Sequence, residues 1–280
     1  MESDQIFNFK IGEFNCISIQ DENSSQEYGA FFSNVPEDEQ HLIPYAKDEK
    51  LDLSFNCLFI ETGSKRVLID TGNGVETDGK GRLFQHLETV GIGRSTIDIV
   101  VLTHAHADHY AGMLTSDGKK TFPNADYLMW REEWEFYSSA KQLKVEKERD
   151  PSGERFDFIQ KWFSPLSQYL TLIDKSSAEI APGIRAIHAP GHTHHHIAIE
   201  VESNGEMLLV VGDAFIHPLQ MIHRHWHFPF EVDGELLQKS RTMLVEQAVK
   251  NKMMIHGYHF TFPGLGHLKS EGDSAVWQPI

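Results

Sequence analysis

The sequence predicts an α/β protein built as an αββα sandwich, in which two mixed β-sheets pack face to face and helices lie outside them. Two observations carry this prediction. Each half of the chain contains several short β-rich runs, and each half also contains helical segments that would cover one sheet. At 280 residues the chain is long enough to bury such a core. We therefore expect residues 1–280 to form a single domain.

The first half reads as strands followed by helices. The runs NCISIQD, FNCLFIETG and KRVLIDTG are rich in β-branched and aromatic residues, and turn-forming residues follow them. GRLFQHLETVGIG places Leu83, Leu87 and Val90 at helical spacing before a glycine, which indicates a helix. DIVVLT is a continuous apolar run typical of a buried strand, and ADYLMW is another strand. A charged helix over about 131–147 and a short helix interrupted at Pro165 follow.

The second half repeats the alternation. IRAIHAPG, HIAIEVES and MLLVVGDA predict strands, and GELLQKSRTMLVEQAVKN has the pattern of an amphipathic helix. KMMIHGYH predicts a closing strand, with only a short tail after it.

Charge and hydropathy exclude several classes of protein. The net charge of -16 disfavours a nucleic-acid surface, which needs a basic patch. No apolar run approaches the ~20 residues of a membrane span. The N-terminus, MESDQIFNFK, has neither a basic nor an apolar signal region, so a cytoplasmic protein is expected.

Histidine is unusually frequent, with 17 copies, and the segment VVLTHAHADHYAGM contains the pattern His-x-His-x-Asp-His. His104 and His106 alternate directly after a strand and can share one metal ion, whereas Asp108 and His109 can reach a second. Imidazole and carboxylate ligands suit zinc, manganese, cobalt or iron. The competing interpretation is a polar surface turn.

Three later segments favour the metal interpretation. His192 follows a strand and a Pro-Gly turn, Asp213 ends the apolar run LLVVGDA, and His259 follows MMIHGY. Polar residues at the ends of buried strands are where functional sites collect in layered folds. Seven candidate ligands suit a site for two metal ions with a bridging carboxylate.

In order and approximate spacing, these motifs resemble the metallo-β-lactamase superfamily over nearly the whole chain, and LIDTG matches a further family element. The resemblance implies that His104, His106 and His192 bind one metal ion, that Asp108, His109 and His259 bind the other, and that Asp213 bridges them. It also implies that Asp70 orients a ligand histidine by a hydrogen bond.

Within the superfamily, FPNADYLMWREEWEFY and GYHFTFPGLGHL resemble the lactonase and methyl parathion hydrolase-like group. Two departures matter. Homoserine lactonases often carry tyrosine three residues after the bridging Asp, where this chain has Ile216, and His195 replaces a common glycine. The expected activity is opening of N-acyl homoserine lactones, with phosphotriester hydrolysis, or that of another ester or thioester, as alternatives. A metal-binding scaffold without activity is the remaining class.

The implied mechanism needs two divalent metal ions, most simply Zn²⁺, which hold a bridging hydroxide that attacks the substrate. Asp108 is the candidate catalytic residue, because it can carry a proton to the leaving alkoxide. The expected partner is a small ester-like molecule.

Substrate contacts are predicted from the segment HPLQMIHRHWHFPF, which follows Asp213. If it is extended, His223, His225 and His227 face one way and Arg224, Trp226 and Phe228 the other. The predicted role is an aromatic wall for an acyl or aryl group, and the alternative is a half-buried edge strand with solvated histidines. The candidate substrate-binding residues are Trp226, Phe228, Phe230 and Tyr258. Trp130, Trp134 and Phe136 have core-like spacing. Aromatic residues around 130–165 and 215–230 suggest a homodimer.

Overall fold

The computed structural model describes residues 4–32, 34–43, 49–74, 81–149, 152–271 and 274–280. The first sheet has strand order β1-β2-β3-β4-β5-β6-β7. Its strands are β1 (Ile6–Ile11), β2 (Phe14–Glu27), β3 (Lys50–Glu61), β4 (Arg66–Ile69), β5 (Ile99–Val101), β6 (Asp126–Trp130) and β7 (Leu170–Ile173). β1 to β4 pair antiparallel and β4 to β7 pair parallel, so the sheet is mixed.

The second sheet has the order β14-β13-β12-β11-β10-β9-β8. Its strands are β8 (Glu179–Ala181), β9 (Ile184–His188), β10 (Ile197–Ser203), β11 (Glu206–Val210), β12 (Met254–His256), β13 (Leu265–Glu271) and β14 (Ser274–Pro279). Only β11 and β12 pair parallel among these strands. The prediction that KMMIHGYH closes the fold was wrong, because a hairpin of β13 and β14 adds two further strands.

Eight short and medium α-helices accompany the sheets in the described part of the chain. They are α1 (Tyr28–Phe31), α2 (Leu83–Thr89), α3 (Ala107–Tyr110), α4 (Arg131–Tyr137), α5 (Ala140–Arg149), α6 (Glu154–Phe158), α7 (Leu219–Ile222) and α8 (Gly234–Asn251). The bounds of α8 agree with the sequence pattern, because Asp233 caps its first turn and its buried face repeats at helical spacing. In the described residues, no helix is long and apolar enough to cross a membrane.

Three apolar layers confirm the predicted αββα sandwich. Leu58 and Val101 from the first sheet pack with Ile199 and Leu208 from the second in one buried cluster. The outer face of the first sheet packs against α2 and the segment 159–168. The outer face of the second sheet packs against α8. At about 25 cal/mol per Å² of apolar surface, these buried layers are the main source of stability.

A fourth cluster forms a cap beside the sandwich. It joins α1 and the residues after it to the segment 216–230, and its centre is the fully buried Trp226. The indole N–H of Trp226 donates to Glu39 at 2.6 Å, and the buried Arg241 guanidinium donates to the carbonyl of Trp226. The segment after Asp213 is therefore a helix and a series of turns, and the expectation that it is an extended strand was wrong.

Candidate metal centre

The buried Asp213 carboxylate lies at the centre of a cluster of histidines. Its Oδ2 lies 3.2 Å from Nε2 of His259, 3.3 Å from Nε2 of His192 and 3.9 Å from Nε2 of His104. Its Oδ1 lies 3.4 Å from Nε2 of His109. One carboxylate thus faces four imidazoles.

The candidate ligands divide into two groups. Potential ligand atoms in each group lie within 4.8 Å of one another. The first group is His104, His106, His192 and Asp213, and the second is Asp108, His109 and His259. In the second group, Oδ2 of Asp108 lies 3.5 Å from Nε2 of His109 and 3.4 Å from Nε2 of His259. Asp213 is in reach of both groups, as a bridging ligand would be.

The fold explains why residues so far apart in sequence meet here. The histidine motif follows β5, His192 follows β9, Asp213 follows β11 and His259 follows β12. All four positions are at the carboxyl ends of strands, where the two sheets present their loops on one edge. The loop carrying Asp213 needs Gly212, which has φ +50°, and a Cβ there would lie 2.6 Å from His196.

The outer nitrogens of the histidine rings are held so that the inner ones face the cluster. Nδ1 of His109 lies 2.9 Å from Oδ2 of Asp70, and Nδ1 of His259 lies 3.0 Å from the carbonyl oxygen of Ser54. If both Nδ1 atoms carry hydrogen, both Nε2 atoms offer lone pairs to a cation. This donor set of nitrogen and carboxylate oxygen fits zinc and its neighbours.

Buried atoms without a hydrogen-bond partner support the same fit. Within the described residues, Nε2 of His104, Nε2 of His109 and Oδ1 of Asp213 make no hydrogen bond, although all three are buried. Leaving such atoms unpaired costs about 1–3 kcal/mol each, so a cation at this place would satisfy them. The cluster can therefore hold metal ions, and no other described group of histidine, cysteine or carboxylate side chains has this geometry.

The pKa values of the candidate ligands follow from their burial and from the charges of their neighbours. Burial holds the pKa of His104 and of His192 well below the ordinary histidine value, so these rings are neutral. Burial also acts on His259, but the carboxylates of Asp213 and Asp108 outweigh it and raise its pKa to about 9. Despite burial, the nearby histidines hold the pKa of Asp213 well below its ordinary value. The carboxylate is therefore ionised and ready to bind a cation.

A cavity of about 1100 Å³ opens directly on this cluster. Asp108, His106 and Asp213 form part of its floor. Its walls come from the cap on one side and from α4 to α6 with the turn after them on the other, and they carry both apolar and polar side chains. The apolar wall residues are Phe31, Leu53, Phe55, Tyr110, Phe136, Tyr137, Phe158, Ile159, Phe163, Ile216, Phe230 and Val232, and the polar ones include Ser24, Gln26, Gln142, Glu146, Glu154, His194 and Glu231.

The four predicted substrate contacts are not in equivalent places. Phe230 lines the cavity and is 49% exposed. Trp226 and Phe228 are buried in the cap behind that wall. Tyr258 lies under the cluster, where its hydroxyl donates to the carbonyl of Asp108 and its ring lies 4.0 Å from that of His109. Phe136, to which the spacing gives a core position, lies on the cavity wall, because α4 turns that face toward the site.

Sequence reasoning missed two supporting residues. His196 accepts from the backbone N–H of Asp213 at 3.1 Å, and burial lowers its pKa to about 3, which keeps it neutral for this role. Glu133 is fully buried beneath the two histidine loops. Its place could have been inferred from the helical spacing with Tyr137, which puts one of three neighbouring glutamates on the inner face of α4.

Comparison with known proteins agrees with this geometry. The family model of the metallo-beta-lactamase superfamily matches residues 53–259, which hold all seven candidate ligands. The chain belongs to the metallo-beta-lactamase superfamily. An N-acyl homoserine lactonase of Bacillus sp is 24% identical over 238 residues, covering 75% of this chain and 83% of the relative.

Two solved structures share the fold over almost the full length. AidC, a dizinc quorum-quenching lactonase solved with a product, superposes with a TM-score of 0.85 at 24% identity and covers 99% of both chains. The hydrolase AbOPH also gives a TM-score of 0.85, at 22% identity, covering 100% of this chain and 99% of its own. Superfamily membership and the lactonase relatives together indicate a metal-dependent hydrolase.

Proposed function

We propose that this protein is a dinuclear metal-dependent hydrolase that opens lactones of the N-acyl homoserine type. The observation that carries the proposal is the Asp213 carboxylate, which faces four histidines from two ligand groups at the floor of a large cavity whose walls include many aromatic side chains. The lactonase activity of the Bacillus relative and the dizinc centre of AidC support it.

Bound divalent cations would supply a nucleophilic hydroxide at neutral pH and polarise the carbonyl group of the substrate. His104, His106 and His192 would hold one cation, and His109, His259 and Asp108 the other, with Asp213 shared. Zn²⁺ fits this donor set best, and Mn²⁺, Co²⁺ or Fe²⁺ would also fit.

Asp108 is the chain's own candidate for proton transfer. Its side chain is 26% exposed and faces the cavity, unlike that of the buried Asp213. Although burial acts against it, His109 and His259 hold the pKa of Asp108 below its ordinary value, so the carboxylate is ionised and its Oδ2 is free to accept a proton. Passing that proton to the alkoxide that leaves the opened ring would complete the reaction.

The walls of the cavity suit an apolar acyl group. Phe31 and Phe230 line the cavity from the cap, Phe55 lines it from β3 beside His259, and Phe136 and Phe158 line it from the helical side. An acyl chain lying against them would exclude water from the ester bond.

Phosphotriester hydrolysis is the second candidate. It is favoured by Ile216, an apolar residue on the cavity wall where homoserine lactonases often carry tyrosine, and by the cavity volume of about 1100 Å³. The same ligands would serve a phosphorus centre.

The deciding experiment compares kcat/KM for N-hexanoyl homoserine lactone and for paraoxon, each with and without a chelator. We expect the lactone to be preferred by several orders of magnitude, and chelation to abolish turnover. Asp108→Asn should lower lactone turnover about 10²–10⁴-fold, whereas Asp117→Asn, in an exposed turn, should not. A higher kcat/KM for paraoxon would indicate a phosphotriesterase instead, and no turnover of either compound would contradict the proposed substrate class.

A single domain over residues 1–280, a homodimer and a cytoplasmic location stay predictions.

A further inference from the structure

Glu133 is a buried carboxylate that belongs to neither group of candidate ligands. It lies on α4 and is 0% exposed. Its Oε1 accepts from the backbone N–H of Ala105 at 2.9 Å, and its Oε2 accepts from the backbone N–H of His195 at 3.0 Å. One side chain thus ties together two loops that are 90 residues apart in sequence.

Those two loops carry the three histidines of the first ligand group. Ala105 lies between His104 and His106, and His195 lies three residues after His192. The first loop follows β5 of the first sheet, and the second connects β9 to β10 of the second sheet. Across this junction Nδ1 of His106 and Nε2 of His192 lie 3.0 Å apart, a spacing that depends on how the loops are joined.

Burial of a carboxylate in this position is energetically unfavourable, so its presence calls for an explanation. Burying an ionised group without a cation beside it is unfavourable, because the group loses its hydration. Burial raises the pKa of Glu133 to about 7, although the N–H groups that it accepts from act in the opposite direction. An alanine or leucine here would avoid that cost but would leave two inward-facing N–H groups without this acceptor.

We propose that Glu133 is a positioning residue for the metal ion held by His104, His106 and His192. By accepting hydrogen bonds from the backbone of both loops, one from each sheet, it fixes the distance between the two ligand loops without contacting the metal ion. The inference rests on the proposed metal centre, but not on the identity of the substrate.

The alternative is a purely structural role, in which Glu133 stabilises the fold and both ligand groups equally. The two roles differ in whether loss of Glu133 weakens the binding of one metal ion or of both. The second group takes Asp108 and His109 from α3 and His259 from the loop after β12. The backbone N–H groups from which Glu133 accepts, at Ala105 and His195, lie beside the histidines of the first group. A positioning role must therefore affect one metal ion far more than the other.

The test measures zinc affinity by competition with a fluorescent chelator in two single-site backgrounds. His259→Ala disables the second group, and His192→Ala disables the first. In the His259→Ala background, which keeps the first ligand group, we expect Glu133→Gln to weaken zinc binding about 10–100-fold, the range typical of residues that orient metal ligands. In the His192→Ala background, which keeps the second group, we expect a change of less than about 3-fold. Glu135→Gln, at an exposed position of the same helix, is the matched control and should change neither affinity.

Equal weakening in both backgrounds, or none in the first, would overturn the proposal. Glu133→Asp, which keeps the charge on a shorter side chain, is the second variant in case Glu133→Gln does not fold, and should weaken the first site by an intermediate factor. Since zinc binding is measured without substrate, a protein that binds two zinc ions selectively but opens no lactone would contradict only the proposed function.

Discussion

Nδ1 of His109 and Oδ2 of Asp70 lie 2.9 Å apart in the interior of the protein, where both side chains are almost fully buried. The same carboxylate accepts from the backbone N–H and the hydroxyl of Thr103, each at 2.9 Å. Asp70 is itself held at φ +59°, a conformation that few non-glycine residues adopt. This arrangement directs Nε2 of His109 toward Asp108 and Asp213, as the family resemblance implies.

Asp70→Asn should weaken zinc binding about 10–100-fold, because an amide in place of the carboxylate no longer fixes the tautomer and orientation of His109. Competition with a chelator measures this affinity. Asp98→Asn is the control, because Asp98 accepts from the backbone N–H of Arg66 away from the cluster, so its loss should affect stability alone. Unchanged zinc affinity in Asp70→Asn would contradict the role.

Trp226 and Phe230 should respond differently to truncation, although the sequence gives both the same role. Trp226→Ala empties the buried centre of the cap and should cost about 3–5 kcal/mol of unfolding free energy. Phe230→Ala, on the cavity wall, should leave stability within about 1 kcal/mol of the parent protein and raise KM for long-chain lactones. Urea unfolding and steady-state kinetics measure the two effects. A raised KM in a stable Trp226→Ala protein would place the indole in contact with substrate.

Tyr258→Phe should lower kcat about tenfold and leave KM unchanged. The variant keeps the ring against His109 but loses the hydrogen bond to the carbonyl of Asp108, a bond worth about 1 kcal/mol. Steady-state kinetics on a lactone separate the two constants. If KM rises several-fold at constant kcat, Tyr258 contacts the substrate directly, which was the prediction from the sequence.

Stability should decline below pH 6.5 partly because of His217. Burial lowers its pKa to about 4, and its Nδ1 accepts from the backbone N–H of Leu219. Between pH 6.5 and pH 4, His217 is protonated in the unfolded chain but neutral in the folded one. Its contribution to the free energy of unfolding is therefore complete above pH 6.5, and as the pH falls to 4 it is lost, by up to about 3 kcal/mol. His217→Asn, which keeps an acceptor but does not titrate, should show a shallower decline. If the urea midpoints of the parent protein and of His217→Asn changed by the same amount between pH 5 and pH 7.5, this role of His217 would be contradicted.

The sequence predicts the sandwich because hydrophobic periodicity is local. Most of the strands and α8 can be assigned from short windows, and the ligand motifs lie at strand ends whose position the layered fold dictates. The hairpin of β13 and β14 was missed because the segment after His259 is rich in glycine and polar residues, so its alternation is weak.

The cap and the hydrogen bonds of Glu133 could not be predicted because they depend on tertiary contacts. An aromatic residue such as Trp226 could as well line a pocket as fill the interior, and its hydrogen bonds with Glu39 and Arg241 show that it lies in the interior. Helical spacing can place Glu133 on the inner face of α4, but nothing local shows that it accepts hydrogen bonds from Ala105 and His195, which lie in two distant loops.

Zinc titration of the metal-free protein tests the dinuclear centre most directly, with lactone turnover and bound zinc measured at each step. We expect turnover to rise until two equivalents are bound per chain, and Asp213→Asn to lower the affinity for both zinc ions. Full turnover at one equivalent, with the second ion bound weakly or not at all, would contradict a dinuclear centre.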